Sequence, residues 1–227
     1  MSLEVLLANS AWLQALTPEE QRKVKSDLFV KKTQSESYIC RRGDPAGYWM
    51  GVINGFVKIN NVGITGKSTT LIGLAQGSWF GEGSLLKKET LLYDVVALGN
   101  TELALMPKET FFWILDRSIS FNRFLITQLN DRLGQFIGAM ENERLLDVES
   151  RLARSIATMF KTWSPMKEMI LKISQEEVGQ LAGLSRQRVN AALKVLEEQQ
   201  LIKMSFGEIH ILNLEGLSKF QPQTLAT

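Results

Sequence analysis

The spacing of hydrophobic and polar positions changes along the chain. Between about Ser26 and Pro107, short runs rich in β-branched and aromatic residues alternate with Gly-Asp, Asn-Gly and Thr-Gly pairs. This pattern predicts strands joined by tight turns, as in an antiparallel β-roll or barrel. After Pro107 the apolar residues recur every three or four positions, which is the helical period. The sequence therefore predicts an α+β protein with a β-rich first half and a helical second half.

A short helix is predicted before the strands, from Ala11 to Lys25. Thr17 is placed to cap it, with Pro18 at the first helical position and Glu20 at the third, an arrangement typical of a capping box.

A much longer helix is predicted from Ser118 to about Leu146. Six residues at spacings of seven, three and four form what we call the apolar stripe: Ile119, Ile126, Leu129, Leu133, Phe136 and Met140. A second apolar set lies on neighbouring faces: Phe121, Phe124, Leu125 and Ile137. A helix with two apolar faces needs two partners. We expect one face to cover the β-roll and the other to meet a second copy of the chain; the alternative is one broad core face in a monomer.

The pattern continues with a helix from Asp147 to Trp163, a loop at 164–168 and a short strand at 169–173. Ser174 then caps a short helix, with Glu177 at its third position. Gly183 permits a sharp turn, and Ser185 caps a second helix from Arg186 to Glu198.

This spacing is that of a helix-turn-helix, in which the second helix enters the major groove of DNA. Two alternating runs, 201–206 and 208–212, are joined through Gly207 and predict a β-wing. An ordinary helical hairpin is the alternative interpretation.

Charge supports the DNA-binding interpretation. Between Leu181 and Leu196 there are three cations and no acid. Arg186, Gln187 and Asn190 are predicted to reach base edges, since arginine reads guanine and an amide side chain reads adenine. The residues predicted to contact phosphates are Ser185, Arg188 and Lys194.

The composition excludes sites that need several cysteines and disfavours those that need a histidine. The 227 residues carry a net charge of +2, one cysteine and one histidine. Cys40 alone supports neither an intrachain disulfide nor a four-thiolate cluster, and we expect a small buried or half-buried side chain. His210 lies in a predicted wing strand and is assigned a structural role, so histidine-dependent catalytic and metal sites have no candidate.

We therefore expect no cofactor, no metal and no enzymatic activity, with a β-barrel enzyme as the remote alternative. No apolar run approaches membrane-spanning length and no secretion signal is evident, so we expect a cytoplasmic protein without a membrane partner.

These segments resemble the cyclic-AMP receptor protein and fumarate–nitrate regulator (Crp/Fnr) superfamily of bacterial transcription regulators. The run "GSWFGEGSLL" is similar to the phosphate-binding cassette of that family, "ERLLDVESRLA" to its hinge, and "EEVGQLAGLSRQRVNAALKVLEEQQLI" to its helix-turn-helix. The resemblance implies a cyclic-nucleotide-binding-like β-roll at 1–117, a dimerisation helix at 118–146 and a winged helix at 147–227. It also implies a homodimer on an operator in double-stranded DNA, with RNA polymerase as a partner if the protein activates transcription.

The resemblance also gives effector positions. Gly81 and Glu82 match the cassette, where the acid binds a ribose hydroxyl in cyclic-AMP-responsive members. The family's phosphate-binding arginine and the serine after it fall at about Leu92 and Tyr93, and the adenine-contacting pair at Phe136 and Ile137. These apolar and aromatic residues predict an apolar, unidentified effector, or a filled pocket. The alternative is a cyclic-nucleotide-responsive regulator that uses Glu82 with Lys87 or Lys88 as the phosphate partner.

In the recognition helix, Arg186 matches the family's guanine-reading arginine. Gln187 stands where the family has glutamate, and Ala191 where it has a base-contacting arginine. We therefore expect a palindromic operator whose half-sites differ from those of the cyclic-AMP receptor protein.

Overall fold

The computed structural model describes residues 1–62, 68–160, 169–171, 173–205 and 207–221, with the side chains of 62, 68, 69 and 143 left out. The chain divides into two compact units. The first comprises Met1–Asn61 and Leu74–Leu133, and the second Val62–Gly73 and Gly134–Thr227.

The N-terminal segment forms three helices: α1 (Leu3–Ala8), α2 (Ala11–Gln14) and α3 (Pro18–Asp27). The single helix predicted from Ala11 to Lys25 is therefore wrong in extent. Thr17 breaks it, because a residue before proline disfavours the helical region and Thr17 is extended at ψ 157°. The predicted capping box is confirmed: Thr17 N–H donates to Glu20 Oε2 at 2.8 Å, and Glu20 N–H to Thr17 Oγ1 at 3.3 Å.

An antiparallel sheet follows. Its strands are β1 (Phe29–Thr33), β2 (Tyr38–Cys40), β3 (Tyr48–Val62), β4 (Ser68–Ala75), β5 (Trp79–Phe80) and β6 (Asp94–Pro107). The order is β1-β6-β3-β4, while β2 also pairs with β6 and β5 with β3. The register of β3 on β6 shifts on both sides of Asn54. The Asn54–Gly55 pair, predicted to separate two strands, is thus an irregularity inside one strand. Gly55 has φ +88°, and a Cβ there would lie 2.6 Å from Thr101 Oγ1.

Three helices follow before Leu146: α4 (Glu82–Lys87), α5 (Lys108–Leu115) and α6 (Ile119–Leu145). The core of the first unit is aromatic. Its largest buried side chains are Trp12, Trp49, Phe80, Phe111 and Phe121. The rings of Trp49 and Trp79 lie 4.5 Å apart, and Trp12 packs edge-on against both.

Helix α6 confirms the predicted long helix and its two kinds of face. Phe121 and Leu125 are buried in the core of the first unit. Every member of the apolar stripe is exposed in the single chain, and Ile137, predicted on a neighbouring face, is exposed with them.

The second unit contains α7 (Val148–Met159), α8 (Gln175–Ala182), α9 (Arg186–Glu198) and α10 (Leu214–Ser218), with a sheet β7-β9-β8. Its strands are β7 (Ile170–Leu171), β8 (Ile202–Ser205) and β9 (Glu208–Ile211). The predicted helix end at Trp163 and the loop 164–168 lie outside the described residues, and the strand predicted at 169–173 is shorter than expected. In the part of the chain that the structure describes, no helix is long and apolar enough to cross a membrane.

Candidate DNA interface and candidate effector site

The first helix of the predicted helix-turn-helix begins as the sequence indicates. Ser174 N–H donates to Glu177 Oε2 at 2.7 Å, and Glu177 N–H donates to Ser174 Oγ at 3.2 Å. This reciprocal capping box fixes where α8 starts.

The turn after α8 depends on two glycines. Gly183 is left-handed at φ +64°, as predicted. Gly179, which the sequence analysis did not single out, is just as constrained: a Cβ there would lie 2.9 Å from Leu184 O and 3.1 Å from Val189 Cγ2. Leu184 N–H donates to Gly179 O at 2.8 Å. The backbone of the turn therefore passes so close to α8 that only glycine fits.

An arginine from α7 completes the turn. Arg151 donates to Ala182 O from Nε at 3.1 Å and from Nη2 at 2.8 Å, and to Gly183 O from Nη2 at 3.0 Å. These carbonyls belong to the C-terminal end of α8, where a cation is favourable because the helix dipole is negative. Arg151 lies 31 positions before Ala182, so no local pattern could have revealed this contact.

Helix α9 presents one buried and one exposed face. The buried residues are Val189, Ala192, Leu193 and Leu196. Of the predicted DNA-contacting residues, five are exposed: Ser185, Arg186, Gln187, Arg188 and Lys194. Ser185 occupies the N-cap position, but its side chain accepts no capping hydrogen bond.

Asn190 differs from the expectation of an exposed side chain. It is half-buried, and its Oδ1 atom is buried without a hydrogen-bond partner among the described residues. The position one turn after Arg186 is therefore less open than the rest of the predicted reading surface.

The predicted wing is present as the antiparallel pair β8 and β9, with Lys203 opposite His210. Glu197 Oε1 accepts from Met204 N–H at 2.6 Å, which ties α9 to the wing. His210 is half-buried with Nε2 at 3.5 Å from Glu208 Oε2, and within the described residues no cluster of three metal-ligating side chains occurs.

The cassette residues of the predicted effector site, Gly81 and Glu82, lie in the first unit, where β5 passes into α4. Gly81 begins α4 in the left-handed region at φ +99°, and a Cβ there would lie 3.1 Å from Tyr48 O. This close approach leaves Glu82 as the first helical residue, directed inward with its side chain 1% exposed.

Each oxygen of the Glu82 carboxylate has a partner within the chain. Oε1 lies 3.0 Å from Arg132 Nη1 on α6, and Oε2 accepts from Trp49 Nε1 on β3 at 3.3 Å. Neither Arg132 nor Trp49 was predicted from the sequence. They lie 50 and 33 positions from Glu82, so only the fold brings the three together.

Two further contacts fasten α6 to β5 at this point. Arg132 Nη2 and Gln128 Nε2 both donate to Trp79 O, the latter at 3.3 Å. The carbonyl oxygen of Trp79, inside the cassette run, therefore accepts from two donors of α6, in addition to the ion pair between Arg132 and Glu82.

The other first-unit positions carried over from the resemblance are less buried. Leu92 is 51% exposed. Tyr93 is half-buried, and burial, followed by the negative charge of Glu82, raises the pKa of its phenol to about 12. Lys88 Nζ lies 5.6 Å from the ring centroid of Phe112 on α5.

Phe136 and Ile137 are exposed on the part of α6 that belongs to the second unit. Their role beside Glu82 stays a prediction.

Comparison with known proteins finds two family models that match successive parts of the chain. Residues 30–118 match the family model of the cyclic nucleotide-binding domain, and residues 150–220 match that of the Crp-like helix-turn-helix domain. The chain is 30% identical over 181 residues to the cAMP-activated global transcriptional regulator CRP of Pasteurella multocida, covering 78% of this chain and 87% of that relative. It is 28% identical over 187 residues to the cAMP-activated global transcriptional regulator Vfr of Pseudomonas aeruginosa, covering 79% and 87%.

Among solved structures, FixK2 from Bradyrhizobium japonicum has a TM-score of 0.72 at 19% identity, covering 84% of this chain and 95% of that one. The c-di-GMP responsive global regulator CLP of Xanthomonas campestris has a TM-score of 0.62 at 23% identity, covering 86% and 99%. At these identities the structures show a shared fold.

Proposed function

Because the chain belongs to the Crp/Fnr superfamily of DNA-binding transcription regulators, we propose that it acts as a homodimer on palindromic operators and responds to an effector other than cyclic AMP. The observation that supports operator binding best is the exposed face of α9. Its two arginines and Lys194 project from a helix held in place by the glycine turn and by Arg151.

The readout follows from the side chains on that face. We assign Arg186 to a guanine and Gln187 to an adenine, because their hydrogen-bonding groups match those base edges. Asn190 is a second adenine reader, which has to rotate its buried amide outward to reach a base. Ser185, Arg188 and Lys194 contact phosphates and set the register on the duplex.

The apolar stripe on α6 supports dimerisation. Its six members are exposed in the single chain and recur at coiled-coil spacing, so a second copy of α6 is the partner that matches them. In a two-fold dimer the two α9 helices meet successive major grooves about 34 Å apart. The chain then reads a palindrome, since each half-site meets an identical surface.

We propose that the effector binds at the cassette around Gly81, Glu82, Leu92 and Tyr93; the role of Phe136 and Ile137 on α6 stays a prediction from the resemblance. An effector acts by favouring one of two arrangements of α6 and the hinge near Leu146–Asp147, and it shifts the equilibrium only by its difference in affinity for them. If the protein activates transcription, we propose that it also binds RNA polymerase.

A cyclic-nucleotide-responsive regulator is the second candidate. It is favoured by the curated relatives, which are named cAMP-activated. It is opposed by the residues at the cassette: an exposed leucine stands where the resemblance places the phosphate-binding arginine, and the Lys88 ammonium is directed towards Phe112.

Selection of DNA fragments from a random pool by the full chain tests the proposal. We expect an enriched palindrome, bound by the wild type and weakened by about 1–3 kcal/mol in Arg186→Ala. Enrichment of no sequence, or equal operator affinity in Arg186→Ala, would contradict the assignment of α9.

A further inference from the structure

We infer that Glu197 is a positioning residue for DNA binding: it fixes the wing strand β8 beside the side of α9 that carries Arg186 and Asn190, so that Lys203 on the wing contacts a phosphate. The inference rests on the proposed function, because it concerns the DNA surface proposed for α9. It adds the wing to that surface and names the side chain that holds the wing there.

The contact joins the C-terminal end of α9 to the edge of a strand. Glu197 Oε1 accepts from Met204 N–H at 2.6 Å. Among the described strands β8 ends the order β7-β9-β8, and the outer edge of such a strand offers backbone N–H groups that no neighbouring strand accepts. Because the acceptor is a carboxylate, the hydrogen bond is charge-assisted. It therefore fastens the edge of the wing directly to the recognition helix.

An acid at this position is unfavourable in two other respects. Glu197 lies in the last turn of α9, where the helix dipole favours a cation, and that turn contains no basic residue. A negative charge on a helix that binds DNA also repels the phosphates. A favourable interaction has to offset both effects, and the hydrogen bond from Met204 N–H is the one that the structure shows.

Glu197 extends from the side of α9 that carries two of the predicted base readers. It follows Asn190 by seven residues and Arg186 by eleven, which are about two and three helical turns. Residues at this spacing share one side of a helix. The strand that Glu197 holds therefore lies beside that side of α9, at the end opposite to Arg186.

The connection between α9 and β8 also restricts the wing. It consists of residues 199–201 and contains Gln200 in the left-handed region at φ +56°. Leu201 N–H donates to Leu196 O at 3.0 Å, which closes the connection onto the last turn of the helix. A connection this short leaves β8 few directions, and the hydrogen bond to Glu197 selects one of them.

Lys203 is the cation that this arrangement presents to DNA. It is exposed on β8, whereas its neighbours Ile202 and Met204 are buried and half-buried. A lysine ammonium binds a phosphate as a point charge, without regard to the base sequence. Since Glu197 fixes the backbone of Met204, the position of the adjacent Lys203 depends on the same hydrogen bond.

Glu198 supplies a matched control. It is the next residue of α9, and its side chain is exposed. Glu198→Met and Glu197→Met remove the same negative charge from the same turn of the helix. If charge alone mattered, both variants should bind DNA more tightly than the wild type. We expect this for Glu198→Met and the opposite for Glu197→Met.

The test measures the affinity of the full chain for a duplex of mixed sequence at several salt concentrations. Glu197→Met should weaken binding by at least about threefold and lower the slope of log affinity against log salt by about one for each monomer. Lys203→Met should do the same. The double variant should lose no more than either single variant, because both changes remove the same contact. Glu197→Gln keeps an acceptor for Met204 N–H and should bind at least as tightly as the wild type.

Tighter or unchanged binding by Glu197→Met would overturn the inference and leave its hydrogen bond a role in stability alone. Losses that add in the double variant, or no loss in Lys203→Met, would overturn it as well. Thermal unfolding shows whether each variant is folded at the temperature of the titration, and Glu197→Ala replaces Glu197→Met under the same criteria if the latter is not. The duplex contains no operator, so the outcome is independent of the selection experiment that tests the proposed function.

Discussion

Arg151 on α7 donates twice to the carbonyl oxygen of Ala182, the last residue of α8, at 3.1 and 2.8 Å. A third hydrogen bond reaches Gly183 O at 3.0 Å. The turn between the two helices is therefore fastened to a third helix that does not itself belong to the motif.

Arg151→Met should lower the free energy of unfolding by about 1–3 kcal/mol, because it leaves the carbonyls of Ala182 and Gly183 without these donors. Arg151→Lys is the matched control: it keeps the charge near the helix end but cannot donate through two nitrogens at once, so an intermediate loss is expected. Urea unfolding measures both. An unchanged midpoint in Arg151→Met would show that the cap contributes no stability.

Gly179→Ala should destabilise the protein by about 1–3 kcal/mol, since its Cβ would meet the backbone oxygen of Leu184 at 2.9 Å. Gly83→Ala is the control. Gly83 is also helical, but a Cβ there meets nothing within 4 Å, so that change should be neutral or slightly stabilising. Thermal unfolding of the two variants gives the comparison, and equal melting temperatures would mean that the turn adapts to a side chain.

Replacing either of the two arginines at the start of α9 should weaken DNA binding, but the two variants should differ in how their affinity depends on salt concentration. Arg186→Ala should relax base preference at one position in each half-site, because a guanine contact is lost. Arg188→Ala should weaken binding to all sequences alike and reduce the slope of log affinity against log salt by about one for each monomer's contact. Titrations of the selected operator at several salt concentrations check this. Identical behaviour of the two variants would remove the distinction between base and phosphate contacts.

Leu133→Glu should shift the protein from dimer to monomer, since it places a charge in the middle of the apolar stripe. Leu133 is 57% exposed in the single chain, so the change should leave the fold of the monomer intact. Thr127→Glu is the control on the solvent side of α6, where Thr127 is also exposed. Sedimentation equilibrium measures the mass. A dimer that persists in Leu133→Glu would place the dimer contact elsewhere.

Local patterns were enough to predict the helix-turn-helix, because its signals lie within a few residues of one another. Ser174 and Glu177 are three positions apart, and Gly183 ends the same helix. The long helix α6 was predicted equally well, since its apolar residues repeat over nearly thirty positions.

The partners of Glu82 could not be predicted in this way. Trp49 and Arg132 contact Glu82 only after β3, α4 and α6 have packed together. In the sequence alone, Trp49 is indistinguishable from an ordinary core tryptophan and Arg132 from an ordinary surface arginine. The break before Pro18 in the helix predicted from Ala11 to Lys25 could have been predicted, because the residue before a proline disfavours the helical conformation. The sequence thus pointed to Glu82 as a candidate effector residue but gave no indication that its carboxylate contacts Arg132 and Trp49.

Tyr93 should make the protein less stable in alkaline solution. Burial and then the charge of Glu82 raise its pKa from 10.0 to about 12 in the folded chain. The folded state therefore holds this proton more tightly than the unfolded state. The resulting stabilisation is complete below pH 10, and it is lost as the pH rises through about 12.

Tyr93→Phe removes this titration, so the difference in melting temperature between wild type and variant should shift in favour of the variant across that range. Cys40, whose pKa burial also raises to about 12, is present in both proteins and is the smallest of the influences that raise the pKa of Tyr93. A constant difference from pH 8 to 11 would mean that Tyr93 titrates alike in both states.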